Sequence, residues 1–160
     1  ISSVRHHWLH YDPIATPRAQ AKAGLKFDST VGFNKNIGFR RGTSYPWLQK
    51  DLEKGQQTAV TEIPLIVQDG ALLRGKGLDI KPEIAFNYVK LLAKRVRKVG
   101  GVLTLLWHPG KVINNDEWDL YKQVLSYLTE QDAWFATIAE LGRWWNDKND
   151  NLTTVQKRSI

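Results

Sequence analysis

His108 stands near the end of the apolar string LTLLWHPG, and Asp28 lies inside GLKFDST. Asp69 follows EIPLIVQ, while Arg5 and His7 open the chain within VRHHWL. These residue types suit hydrolysis. An imidazole passes a proton to a leaving group near neutral pH. A carboxylate holds such a ring in one tautomer, and a guanidinium orients a second carboxylate. The chain has 4 histidines, and His6, His7 and His10 crowd together far from His108. His6 and His10 have the offset of a helical metal pair, but a strand suits that offset poorly, and no zinc-protease carboxylate stands beside them. Arg40 and Arg41 before Gly42 form the best anion-binding candidate. Each residue also has a plainer reading. His108 would cap a strand, Asp28 would make an Asx turn with Ser29 and Thr30, and Arg40 and Arg41 would be a solvated pair.

The elements that must position these groups follow from pattern. Residues 4–9 read as a short strand. Thr16 and Pro17 read as the cap and first position of a helix ending at Gly24. Residues 25–30 read as a strand, residues 31–47 as a loop punctuated by Gly and Asn, and residues 48–61 as a polar surface loop. Residues 63–67 read as a strand ending just before Asp69. Residues 80–99 carry apolar groups at helical spacing and stop at Gly100 and Gly101. The string VLTLLW reads as a strand buried on both faces. Residues 116–128 read as an amphipathic helix, residues 133–138 as a last strand, and residues 139–145 as the start of a closing helix. Such alternation implies an α/β fold with a parallel sheet, in which functional side chains gather at the C-terminal ends of strands.

Bulk composition narrows the classes. The 160 residues fit one domain, and 42% hydrophobic content argues against disorder. Disulfides and thiolate metal sites are excluded, since the chain has 0 cysteines. No apolar run is long enough to span a bilayer. The net charge of +7 permits attraction to nucleic acid, anionic glycans or an anionic membrane surface without choosing among them. Lys90, Lys94, Arg95, Arg97 and Lys98 crowd one helix end and read as a solvated face. A nucleic-acid binder would show a contiguous basic face interleaved with aromatics, so no nucleic acid is expected as a partner. Most of the 7 tryptophans suit a core. Trp8, Phe33, Tyr45, Trp47 and Trp107 also suit a sugar-binding mouth.

In order, VRHHWL, GLKFDSTVGF, GFRRGTSYPW, EIPLIVQDGALL and GGVLTLLWHPG resemble the C-terminal portion of the polysaccharide deacetylases, carbohydrate esterase family four with its NodB homology domain. The resemblance covers residues 4–147 and leaves 148–160 as a polar tail. It implies part of a distorted (β/α) barrel with parallel strands alternating with helices. It also implies metal-dependent hydrolysis of N- or O-acetyl groups on a polysaccharide or surface glycan, in a bacterial cytoplasm or cell envelope. The family's late-strand proton donor falls on His108, its strand arginine on Arg5, and the aspartate paired with the donor on Asp28. His7, Arg40, Gly42, Thr43, Trp47 and Trp107 fall where substrate contacts are expected. The paired aspartates and the His-x-x-x-His ligands of a divalent metal, usually zinc, belong before residue 1. The chain is therefore expected to be a fragment, inactive without the N-terminal half of the same barrel. A non-catalytic glycan-binding module is the alternative.

Overall fold

The computed structural model describes residues 1–108 and 115–158, so Pro109 and Gly110 of the last family string lie outside the described residues. Strand β1 (Ser3–Val4) pairs in parallel with β2 (Phe27–Asp28), and β2 pairs in parallel with β4 (Gln56–Glu62). The intervening β3 (Trp47–Asp51) pairs antiparallel with β4, giving the order β1-β2-β4-β3. Beyond Glu62 the chain continues to β5 (Val67–Gln68), whose parallel partner is β6 (Leu105–Leu106). The helices are α1 (Ala15–Lys22), the short α2 (Asp69–Leu72), α3 (Pro82–Val99), α4 (Asn115–Glu130) and α5 (Ile138–Arg158). This is a mixed α/β fold with parallel strands alternating with helices. Among the described residues the strands do not close into a barrel.

The core follows from helical and strand periodicity. Ala85, Val89, Leu92 and Val96 form the buried face of α3, and the first three pack with Ile66, Val67 and the Leu120, Val124 and Leu128 face of α4. Gly100 ends α3 in the left-handed conformation (φ 78°), and its N–H reaches Val96 O at 2.9 Å. A second cluster joins Phe27, Ile63 and Val102 to Leu141 and Trp145 of α5. Gly142 packs so tightly on the Phe27 ring that an added Cβ would overlap it.

Several elements depart from the sequence expectation. The strand expected over residues 4–9 ends at Val4, and His7–Leu9 make a 3-10 turn with Trp8 at φ 57°. The polar stretch 48–61 is mostly hairpin. One face of an antiparallel edge can stay wet, so its polar residues do not mark a loop. β4 ends at Glu62 and β5, which pairs with β6 in a separate two-stranded sheet, begins at Val67; between them Pro64 has no N–H to give to a ladder. β6 is half-buried rather than covered on both faces, and among the described residues it has a strand neighbour on one side only. Residues 133–137 are an exposed lead-in to α5, not a strand. The helix after Gly142 continues through the polar tail to Arg158. The start of α1 is capped not by Thr16 but by the Asp12 carboxylate, which accepts from the N–H groups of Ile14 and Ala15, each at 2.8 Å.

The Gly142 contact gives a direct test. Gly142→Ala should destabilise the protein by roughly 1–3 kcal/mol, the scale of overpacking, despite the better helix former. Urea denaturation checks this, and an unchanged midpoint would contradict the close packing of α5 on β2.

Candidate active site

The parallel β5 and β6 run in register, with Val67 opposite Leu105 and Gln68 opposite Leu106. The residues just past their ends, Asp69 and His108, therefore meet. Asp69 is 1% exposed and accepts from three N–H groups. These are His108 Nδ1 at 2.6 Å, the His108 backbone N–H at 3.0 Å and the Gly70 N–H at 2.6 Å. Arg74 Nη2 stands 3.7 Å away and adds charge balance. A carboxylate only accepts, so the ring proton sits on Nδ1 and Nε2 is left to exchange a proton with a substrate. The His108 side chain is 49% exposed, which leaves that edge reachable. Oriented acid and half-exposed imidazole together make a general acid–base unit.

One contact ties the loop to the residue before Asp69, and the others lie within the loop and the N-terminal turn. Gln68 Nε2 donates to Phe33 O, and Asn34 Nδ2 donates to Trp8 O at 3.1 Å. The Trp8 indole is exposed, with the His7 ring edge-on to it at 5.8 Å. Trp107 precedes His108 and packs on Tyr121 at 5.2 Å. Arg40 Nη1 donates to Gly32 O at 2.7 Å, which ties the loop back on itself. Gly42 turns that loop at φ 71°, and Thr43 Oγ1 accepts from the Tyr45 N–H at 3.0 Å. Tyr45 belongs elsewhere. Its hydroxyl donates to Val99 O at the end of α3, and its ring meets Trp145. Trp47 is half-buried at the start of β3, opposite Glu62.

Asp28 does not pair with His108, contrary to the sequence expectation, and Asp69 takes that place. Asp28 is fully buried on the α1 side of the sheet. It accepts from Gln20 Nε2 at 2.7 Å, Thr30 Oγ1 at 2.5 Å and Gln49 Nε2 at 3.2 Å. Register sets Asp28 opposite Glu62, and a side-chain hydrogen bond joins the two acids. Glu62 also accepts from the Val31 N–H and from Gln49 Nε2, each at 2.8 Å. Burial, and then the charge of Asp28, push the Glu62 carboxyl up to about 8, against the pull of these donors. Burial likewise pushes up the Tyr11 phenol, helped by Glu62 and Asp28 and opposed by Arg41. Arg5 clamps Ser29, with Nε donating to its carbonyl at 2.8 Å and Nη2 to its hydroxyl at 2.7 Å. Burial draws the Arg5 guanidinium below its usual range, while Asp28 and Glu62 oppose the fall. No hydrogen bond or ion pair among the described residues links Arg5 or Asp28 to His108.

Glu62, Gln20, Gln49 and Tyr11 were not singled out from sequence. The signal for Glu62 was a carboxylate directly abutting the apolar run IPLIV. The two histidines at the metal-pair offset are not a metal site. His6 Nε2 faces Gln20 Nε2 at 3.1 Å, and His10 points to solvent. Among the described residues no group of three or more His, Cys, Asp or Glu side chains could hold a metal ion. The residues present therefore do not fit the divalent metal that the resemblance implies.

No family model matches the chain, and no curated protein does. Among solved structures it is similar to a crystal structure from Mycobacterium smegmatis described as a "putative polysaccharide deacetylase". The TM-score is 0.72 at 17% identity, over 92% of this chain and 50% of the other. The chain shares the fold of half of that structure. It spans half the length of that structure, and identity at this level speaks for architecture alone.

The acid pair generates a pH prediction. Glu62 holds its proton to about pH 8 in the folded state, whereas an unfolded glutamate releases it near 4.3. Between these values the folded state binds more protons, so stability falls as pH rises and levels off beyond about 8. Glu62→Gln mimics the neutral acid. It should flatten this slope and stabilise the protein at pH 8 by roughly 1–3 kcal/mol. Thermal melts of both proteins from pH 5 to 8.5 check it. A variant less stable than wild type at pH 8 would contradict the shared-proton pair.

Proposed function

We propose that the chain is the C-terminal half of a deacetylase that hydrolyses N- or O-linked acetyl groups on a polysaccharide or surface glycan. The observation that carries this reading is the Asp69–His108 unit at the ends of two adjacent parallel strands. In the hydrolysis, water adds to the acetyl carbonyl and the C–N or C–O bond breaks. His108 Nε2 takes up a proton as the water adds and delivers it to the departing sugar nitrogen or oxygen, and acetate leaves. Asp69 keeps the ring aimed throughout and stabilises the charged imidazolium. Trp8 offers a sugar-stacking face near this mouth, and Arg40 and Arg41 suit a negatively charged glycan.

The half-barrel reading also draws on the sheet edges. β1 and β6 each have an unpaired side among the described residues. Between them lies a cleft of about 720 Å³, lined by Arg5, Leu103, Leu105, Leu125, Trp134 and Leu141. Exposed parallel edges beside an apolar cleft are what further strands of the same barrel would cover. The divalent metal, zinc by the resemblance, is assigned to residues of that other half. The glycan-binding alternative uses the same mouth but predicts binding without acetate release.

The test is acetate release from acetylated chito-oligosaccharide. The 160-residue chain alone should release none with added zinc. In the protein carrying the completing half, His108→Ala should lower turnover about a hundredfold or more, the usual scale for a general acid, with bound zinc unchanged. Asp69→Asn should lower it in the same direction. Release by the isolated chain, or loss of zinc in His108→Ala, would overturn the assignment.

A further inference from the structure

The outer flank of α3 carries a feature that the hydrolytic reading does not use. Its inward face is filled by Ala85, Val89, Leu92 and Val96. Phe86 and Ala93 pack toward α4, where Lys90 lies over the Phe86 and Tyr127 rings and Arg97 bonds Gln131. On the flank away from α4, Ile84 (49% exposed), Tyr88 (48%), Leu91 (44%) and Val99 (51%) form a stripe. At 1.5 Å per residue that stripe runs about 22 Å. Arg95 falls within it, and Lys94 and Lys98 lie alongside. All three are exposed, and Glu83 is the one acid on the helix.

We propose that this flank of α3 is a docking surface for an anionic lipid membrane, with the helix lying in the interfacial plane. Charge and shape choose that occupant. A half-exposed apolar stripe edged by cations is the pattern of a helix that seats its apolar side among acyl chains and its cations on lipid phosphates. Tyr88 has the mixed character that suits the headgroup boundary. Arg95 can lay its stem on the stripe while its guanidinium reaches a phosphate. A second copy of the chain is disfavoured, since it would press Lys94, Arg95 and Lys98 against their own like. A purely polar polyanion would leave the apolar stripe uncovered. The inference is independent of the deacetylase reading, because among the described residues no hydrogen bond or ion pair links the outer flank of α3 to Asp69 or His108.

Vesicle co-sedimentation of the whole chain tests it, using phosphatidylglycerol-rich and pure phosphatidylcholine vesicles. Binding should be at least tenfold stronger to the anionic vesicles. Leu91→Asn and Arg95→Glu should each weaken it tenfold or more, and Tyr88→Ser should weaken it in the same direction. Lys50→Glu, on the exposed side of the hairpin, should change it less than twofold. Circular dichroism confirms that each variant is folded. The proposal is overturned by no vesicle binding, or by binding that Lys50→Glu weakens as much as Arg95→Glu does. Binding to polyglutamate as tight as to the anionic vesicles also overturns it, as does a dimer in sedimentation equilibrium that Leu91→Asn abolishes.

Discussion

A buried carboxylate that must be satisfied fixes the chemistry of this molecule. Asp69 sits where β5 ends, almost without solvent, and such a charge is costly unless donors surround it. Three N–H groups do so, two of them from His108. The need to satisfy one acid thus settles where the end of β6 lies and which way the imidazole faces. The α3 crossover, packed through its apolar face, brings β6 alongside β5 in parallel and makes the meeting possible. Core packing, register and ring orientation are consequences of one another here.

A second buried carboxylate cluster solves the same problem differently. Asp28 and Glu62 are brought opposite one another by the β2–β4 register, in the dry layer beneath α1. Two adjacent charges would be intolerable, so Glu62 keeps its proton, while Gln20 donates to Asp28 and Gln49 to both acids. Glu62 also holds the Val31 N–H, the first backbone donor of the loop that leads to Arg40. The cluster therefore anchors the loop, and among the described residues no hydrogen bond or ion pair links it to the Asp69–His108 pair.

Much of this was legible in sequence because it rests on local patterns. The helical spacing of Ala85, Val89, Leu92 and Val96, the glycine stop at Gly100, and the placement of His108 and Asp69 just past two strands all have local signatures. Partner choice does not. Asp28 and Asp69 both follow short apolar strands, and only the parallel pairing of β5 with β6 decides which acid meets His108. The hairpin from Trp47 to Glu62 was hidden for a similar reason, since an edge with one wet face has the composition of a loop. Glu62 itself gives one local sign, the apolar run that follows it, and that run does not name its partners. Its environment is built by α1, β2 and β3, which are distant in sequence.

The account turns on which nitrogen of His108 holds the proton when the ring is neutral. Long-range ¹⁵N–¹H correlation NMR of the His108 ring reads this directly. A proton on Nδ1, with Nε2 bare, is the predicted result. A neutral ring protonated on Nε2 would contradict it, because Asp69 would then face a lone pair and the imidazole could not be the aimed proton donor described here.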